Sequence, residues 1–167
     1  MISKNDLLKW IKEVDKRLKN KIVLLAVGGT AMTLLGLKPS TRDIDFCVKS
    51  SQKLDFQKAC DDRYRVDLFV DGYIFSEQLP DDYLDIAVEI MNLKNVELKA
   101  LAPVDIIITK AARLNARDEE DISVIAKSVP KDFLVKRFFE VANSYAGNEE
   151  HFKYHLEVIL KRFYSGK

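Results

Sequence analysis

Apolar residues recur at helical spacing at both ends of the chain and at strand spacing between them. Leu7, Leu8, Ile11, Val14 and Leu18 fall three and four apart, which predicts an amphipathic helix over residues 3–20, with Trp10 packing on the same body. Ser3 and Asp6 have the spacing of a capping box at its start. The apolar run 23–27, with two β-branched residues, predicts a buried strand. Residues 31–35 are helix-compatible, with Gly36 placed as a stop and Pro39 soon after. A second strand is expected over 41–48, a short surface helix over 51–62, and a third strand over 65–70 closed by Asp71-Gly72. Residues 73–84, with Pro80-Asp81-Asp82, read as a loop. The alternating segments 84–91 and 95–101 predict a hairpin that extends the sheet, with Glu89 and Glu97 as exposed strand charges. Beyond them the pattern turns helical: 103–114 with Pro103 in the first turn, a helix opened by residues 117–121, then 132–145 and 148–164 on either side of Gly147.

This order of elements predicts an α/β (α+β) protein. A mixed, twisted sheet of four or five strands is flanked by helices and followed by a C-terminal helical section. A chain of 167 residues is expected to form a single domain, with a sheet-bearing core over about 1–101 and a helical section over about 103–167. Twenty-seven Lys and Arg nearly cancel 26 Asp and Glu, so net charge does not indicate a strongly basic nucleic-acid binder. No apolar run approaches a membrane span, and the first ten residues lack a signal-peptide core, so no membrane partner is expected and a cytoplasmic location is the default. Cys47 and Cys60 fit no metal-ligand spacing and are not expected to form a disulfide.

The chemistry concentrates in residues 22–48. Gly28 and Gly29 let the backbone turn sharply after the first strand and approach a ligand closely. Helix N–H groups opening at such a turn can receive phosphate. Asp43 and Asp45 are at i and i+2, which puts both on one face of a strand and leaves Ile44 and Phe46 on the other. Two adjacent carboxylates repel unless a cation lies between them, and Mg²⁺ or Mn²⁺ takes carboxylate oxygens together with water and substrate phosphates. Asp67 alternates with Val66 and Leu68. It joins the same face if its strand pairs beside the Asp43–Asp45 strand, and is otherwise a solvent-facing charge. Arg42 lies next to the carboxylates, open to phosphate or to a salt bridge with one of them.

Gly28-Gly29-Thr30 followed by Asp43-Ile44-Asp45 resembles the signature of the polymerase-β-like nucleotidyltransferase superfamily. The spacing Lys110…Arg117-Asp118-x-x-Asp121 resembles a second element, found in the small minimal nucleotidyltransferases that include AbiE- and MenT-type toxins. The resemblance covers roughly residues 22–122 and implies the nucleotidyltransferase fold. It implies that Asp43, Asp45 and Asp67 hold metal and that Asp67 serves the attacking hydroxyl. Gly28, Gly29 and Thr30 would cradle the β/γ-phosphates of an NTP. Lys110 would contact phosphates, oriented by Asp121, and Arg42 would lie near them. Without the resemblance, Lys110–Asp121 or Arg117–Asp pairs read as ion pairs joining two helices, and the two readings are compatible.

The implied acceptor is RNA, such as a tRNA end, with a cognate antitoxin encoded elsewhere; a small-molecule acceptor is the second option. A catalytically weak nucleotide- or partner-binding module of the same fold is the rival reading. A third uses the C-terminal aromatic and basic face, with Phe152, Tyr154, Phe163 and Tyr164 among Lys153, Lys161 and Arg162, to bind RNA; the same pattern also reads as a core stripe. His151 and His155 at i and i+4 have no third metal ligand nearby in sequence.

Overall fold

The computed structural model describes residues 1–72 and 78–166, arranged as two compact units. The first comprises Met1–Ile74 and Leu84–Leu101, the second Phe75–Tyr83 and Ala102–Lys167.

Strands β1 (Ile2–Ser3) and β3 (Ser40–Thr41) of the first unit form a small antiparallel pair. Five strands form the main sheet: β2 (Ile22–Ala26), β4 (Ile44–Val48), β5 (Val66–Val70), β6 (Val88–Asn92) and β7 (Val96–Ala100). Their order is β5-β4-β2-β7-β6. The β4–β5 and β2–β7 pairs are parallel, while β2–β4 and β6–β7 are antiparallel. The sheet is therefore mixed, with five strands.

One sheet face is apolar: Ile22, Leu24, Ala26, Ile44, Phe46, Val96 and Leu98 are buried on it. Helices α1 (Lys4–Arg17) and α3 (Ser50–Ala59) pack there, because Phe46 meets Phe56 edge-on at 5.9 Å and Phe56 meets Trp10 at 6.3 Å. The period of two places Asp45, Cys47 and Asp67 on the opposite face. Ser3 caps α1 in a reciprocal capping box with Asp6, as the spacing implies.

Helix α2 (Gly28–Leu34) leaves β2 directly. It ends in a Schellman motif: Gly36 has φ +75°, its N–H donates to the Thr33 carbonyl, and the Leu37 N–H donates to the Met32 carbonyl at 2.8 Å.

Several boundaries differ from the sequence expectations. The 41–48 strand is two elements, because the chain bends at Arg42-Asp43, and Asp43 lies just before β4 rather than in it. Helix α1 stops at Arg17, and α3 stops at Ala59 instead of running to 62. The first hairpin strand starts at Val88, since Asp81–Leu84 form a 3-10 turn, and a bulge interrupts it between Glu89 and Met91. Residues 73–77 of the expected 73–84 loop lie outside the described residues.

The second unit holds helices α4 (Pro103–Ala111), α5 (Ala116–Ile125), α6 (Lys131–Phe139) and α7 (Glu149–Phe163). Its interior is lined by Ile107, Ile122, Leu134, Phe138, Phe152 and Ile159. Helix α4 ends earlier than residue 114, where Leu114 takes φ +48° and its N–H donates to the Lys110 carbonyl. The 132–145 pattern is a helix to Phe139 followed by a 3-10 turn, Ala142–Ser144. The buried Arg137 holds Asp105 through Nε at 2.5 Å and Nη2 at 2.9 Å, and Asp82 through Nη1 at 2.9 Å. Among the described residues no helix is long and apolar enough to cross a membrane.

Candidate active site

The parallel register of β4 and β5 sets Asp45 directly opposite Asp67. Opposed residues of paired strands share a face about 5 Å apart, so the two carboxylates stand side by side. Asp43, at the bend before β4, is exposed and close enough for its charge to act on Asp45. Burial raises the proton affinity of Asp45, and the carboxylates of Asp67 and then Asp43 raise it further; Arg65 opposes them. Burial, with the charge of Asp45 two residues earlier on the same face, pushes the Cys47 thiol up to about 12. Cys47 and Cys60 are both free.

The glycine turn abuts this face. The Val27 N–H donates to the Asp45 carbonyl at 3.2 Å, so α2 begins beside that carboxylate. No side chain caps α2, and the first helical donor to find a carbonyl is Ala31, bonded to Val27. The two glycines serve different needs. Gly28 has φ +52° with open space where a Cβ would point, whereas a Cβ on Gly29 would stand 3.0 Å from Thr41 Oγ1.

Thr30 is fully buried. Its hydroxyl donates to the Asp43 carbonyl at 3.1 Å and accepts the Asp45 N–H at 3.0 Å. Thr41 Oγ1 also donates to the Asp43 carbonyl, at 3.0 Å. The Thr30 hydroxyl thus fastens the aspartate segment to α2. Arg42 is exposed and pairs with no carboxylate among the described residues.

In the second unit Lys110 is buried with its Nζ 2.8 Å from Asp121 and 3.3 Å from Asp118. Asp118 is the hub of this cluster. It is wholly buried, accepts two bonds from Arg113 at 2.7 and 2.8 Å, and forms the capping box of α5 with Asn115. Against the opposing effect of burial, the bonds from Arg113 and the Asn115 N–H, and then the charge of Lys110, hold its carboxyl below the usual range. Arg117 is exposed and forms no ion pair among the described residues.

Residues 5–165 match the family described as "Nucleotidyltransferase of unknown function (DUF6036)". The chain belongs to this family. No curated protein and no solved structure matches the chain.

For a nucleotidyltransferase, the carboxylate face has the right donor chemistry. Hard carboxylate oxygens whose mutual repulsion is visible at Asp45 fit a hard divalent cation. Among the described residues no group of three or more His, Cys, Asp or Glu side chains is gathered tightly enough to hold a metal alone. Asp43, Asp45 and Asp67 are all described, so the three carboxylates expected to hold metal do not form such a group, although Asp45 and Asp67 stand opposite each other.

Two members of these clusters escape a sequence reading: Arg113, which binds Asp118, and Arg65, signalled only by its place two residues before Asp67. The C-terminal aromatics divide between two roles. Phe152 and Tyr164 are buried, with the Tyr164 hydroxyl donating to the Val129 carbonyl, while Tyr154 is exposed. His155 lies 2.6 Å from the Ala111 carbonyl through Nδ1, which engages it locally.

Proposed function

We propose that the chain is a Mg²⁺- or Mn²⁺-dependent nucleotidyltransferase that moves a nucleoside monophosphate from an NTP to a hydroxyl acceptor. The observation that carries this reading is the pairing of Asp45 with Asp67 on a sheet face where an uncapped helix begins. Asp43 and Asp45 would hold the cation, and Asp67 would complete the set on the acceptor side. The bound cation would neutralise triphosphate charge and polarise the α-phosphate for attack. Backbone N–H groups of Gly28, Gly29 and Thr30 receive the β/γ-phosphates. The resemblance gives Lys110, which is ion-paired with Asp121 and Asp118, a role toward phosphate, and the exposed Arg42 beside Asp43 offers positive charge. The acceptor oxygen bonds to the α-phosphorus as the bond to the bridging oxygen breaks. Pyrophosphate leaves, and the hydroxyl proton passes to Asp67. Most of the catalysis is positioning and fixed electrostatics.

The acceptor follows from the AbiE/MenT resemblance: an RNA end such as that of tRNA, in a toxin paired with an antitoxin. A small-molecule hydroxyl would use the same residues. The test is calorimetric titration of each Mg²⁺–NTP into the protein and into Asp43→Asn and Asp45→Asn. Both variants are expected to keep the circular-dichroism spectrum of the parent and to lose metal-dependent nucleotide binding. Unchanged affinity in both removes the reading.

A further inference from the structure

Arg65 stands on the carboxylate face of the first unit. It precedes Asp67 by two residues, and its carbonyl accepts the Ile44 N–H at 3.2 Å, which sets it beside the bend that carries Asp43. Its Nη2 lies 3.4 Å from Asp67 Oδ2. The Arg65 side chain is 75% exposed and that of Asp67 40%, so the pair sits at the solvent edge of the face, on the edge strand β5. The charge of Arg65 also acts against the carboxylate repulsion at Asp45.

We propose that Arg65 is a positioning residue, an internal counter-ion that occupies Asp67 until a nucleotide triphosphate offers it a better anion. The inference rests on the nucleotidyltransferase reading above. A guanidinium and a divalent cation compete for the same carboxylate oxygens. While Arg65 holds Asp67, the carboxylates present an incomplete set to a free cation. Phosphate oxygens match the guanidinium fork and can accept two bonds from it. Arg65 turned toward phosphate leaves Asp67 free to serve the cation and the acceptor hydroxyl. Nucleotide and cation then assist each other's binding, and a cation without its triphosphate is held weakly.

Removing the guanidinium must therefore move two affinities in opposite directions, which a merely structural residue would not do. Wild type, Arg65→Ala, Arg65→Lys and Asp45→Asn are titrated by calorimetry, first with Mn²⁺ alone and then with preformed Mn²⁺–tripolyphosphate, a probe independent of the base. Arg65→Ala is expected to bind Mn²⁺ alone about three- to five-fold tighter, the scale of an exposed ion pair. It should bind the tripolyphosphate complex weaker by a similar factor. Arg65→Lys, which keeps the charge without the fork, should bind Mn²⁺ as wild type does and the complex less tightly. Two shifts in the same direction, or no shift in either titration, overturn the role given to Arg65. Asp45→Asn separates the two levels. If it leaves Mn²⁺ affinity unchanged, the metal reading itself fails; if it abolishes binding while Arg65→Ala changes nothing, only the counter-ion role fails.

Discussion

Thr30 holds the aspartate segment through one hydroxyl, donating to the Asp43 carbonyl and accepting the Asp45 N–H. Thr30→Val keeps the shape, removes both bonds and leaves the part-buried Asp45 N–H without its partner, while the Asp43 carbonyl keeps the Thr41 hydroxyl. It should cost about 1–3 kcal/mol in urea unfolding, with Thr30→Ser recovering most of the loss. At Asp45 the sign of the effect reverses. Burial and the neighbouring carboxylates raise its proton affinity in the folded state, so over the window between its unfolded and folded values the folded state binds more protons. The contribution of Asp45 to stability therefore falls as pH rises through that window, and above it the ionised group opposes folding. Metal-free Asp45→Asn should melt higher than the parent at neutral pH, by roughly 2–4 °C for about 1 kcal/mol in a chain of this size. A lower melting temperature contradicts the repulsion. The carboxylates Asp43 and Asp45 and the glycines are legible in sequence because their message is local: a spacing of two and a turn. Arg65 and Arg113 are not, because an arginine in a polar stretch is ordinary until its partner is known.

At the scale of elements, α2 is defined by three glycines that do different things. Gly28→Ala meets no atom but must take a left-handed backbone, which costs about 1–2 kcal/mol. Gly29→Ala instead presses on Thr41 Oγ1, and Thr41→Ala should relieve part of its loss, whereas it should not help Gly28→Ala. Equal rescue of both, read from urea midpoints, would contradict this division. In the helical unit, Arg137 and Asp105 form a buried pair whose carboxyl is raised by burial more than Arg137 lowers it. Arg137→Met alone should destabilise by roughly 3–5 kcal/mol, while Arg137→Met with Asp105→Leu should recover most of that. The capping box at Ser3, the Gly36 stop and the β6–β7 hairpin could be read from the chain, since caps, stops and alternation are written in adjacent residues. The pair β1–β3 could not, because two-residue strands have no period. The break at Arg42-Asp43 was hidden for a related reason: alternation continues through a bend.

For the whole molecule, the mixed five-stranded sheet and the helical section were legible from the order of periodic segments. The decisive fact about the site was not: that β5 lies beside β4 in a register placing Asp67 opposite Asp45 is a long-range pairing that no local pattern states. The chain belongs to a family described as nucleotidyltransferases of unknown function, and the proposed function rests on the Asp45–Asp67 pairing. The most direct test of the central claim is label transfer. The purified protein is incubated with each α-³²P-labelled NTP, Mg²⁺ or Mn²⁺, and total cellular RNA, with small-molecule acceptors in parallel. The account predicts metal-dependent transfer of label to a hydroxyl acceptor, RNA first, abolished in Asp45→Asn. Transfer that persists undiminished in Asp45→Asn, or no transfer from any NTP to any acceptor with either metal, would contradict it.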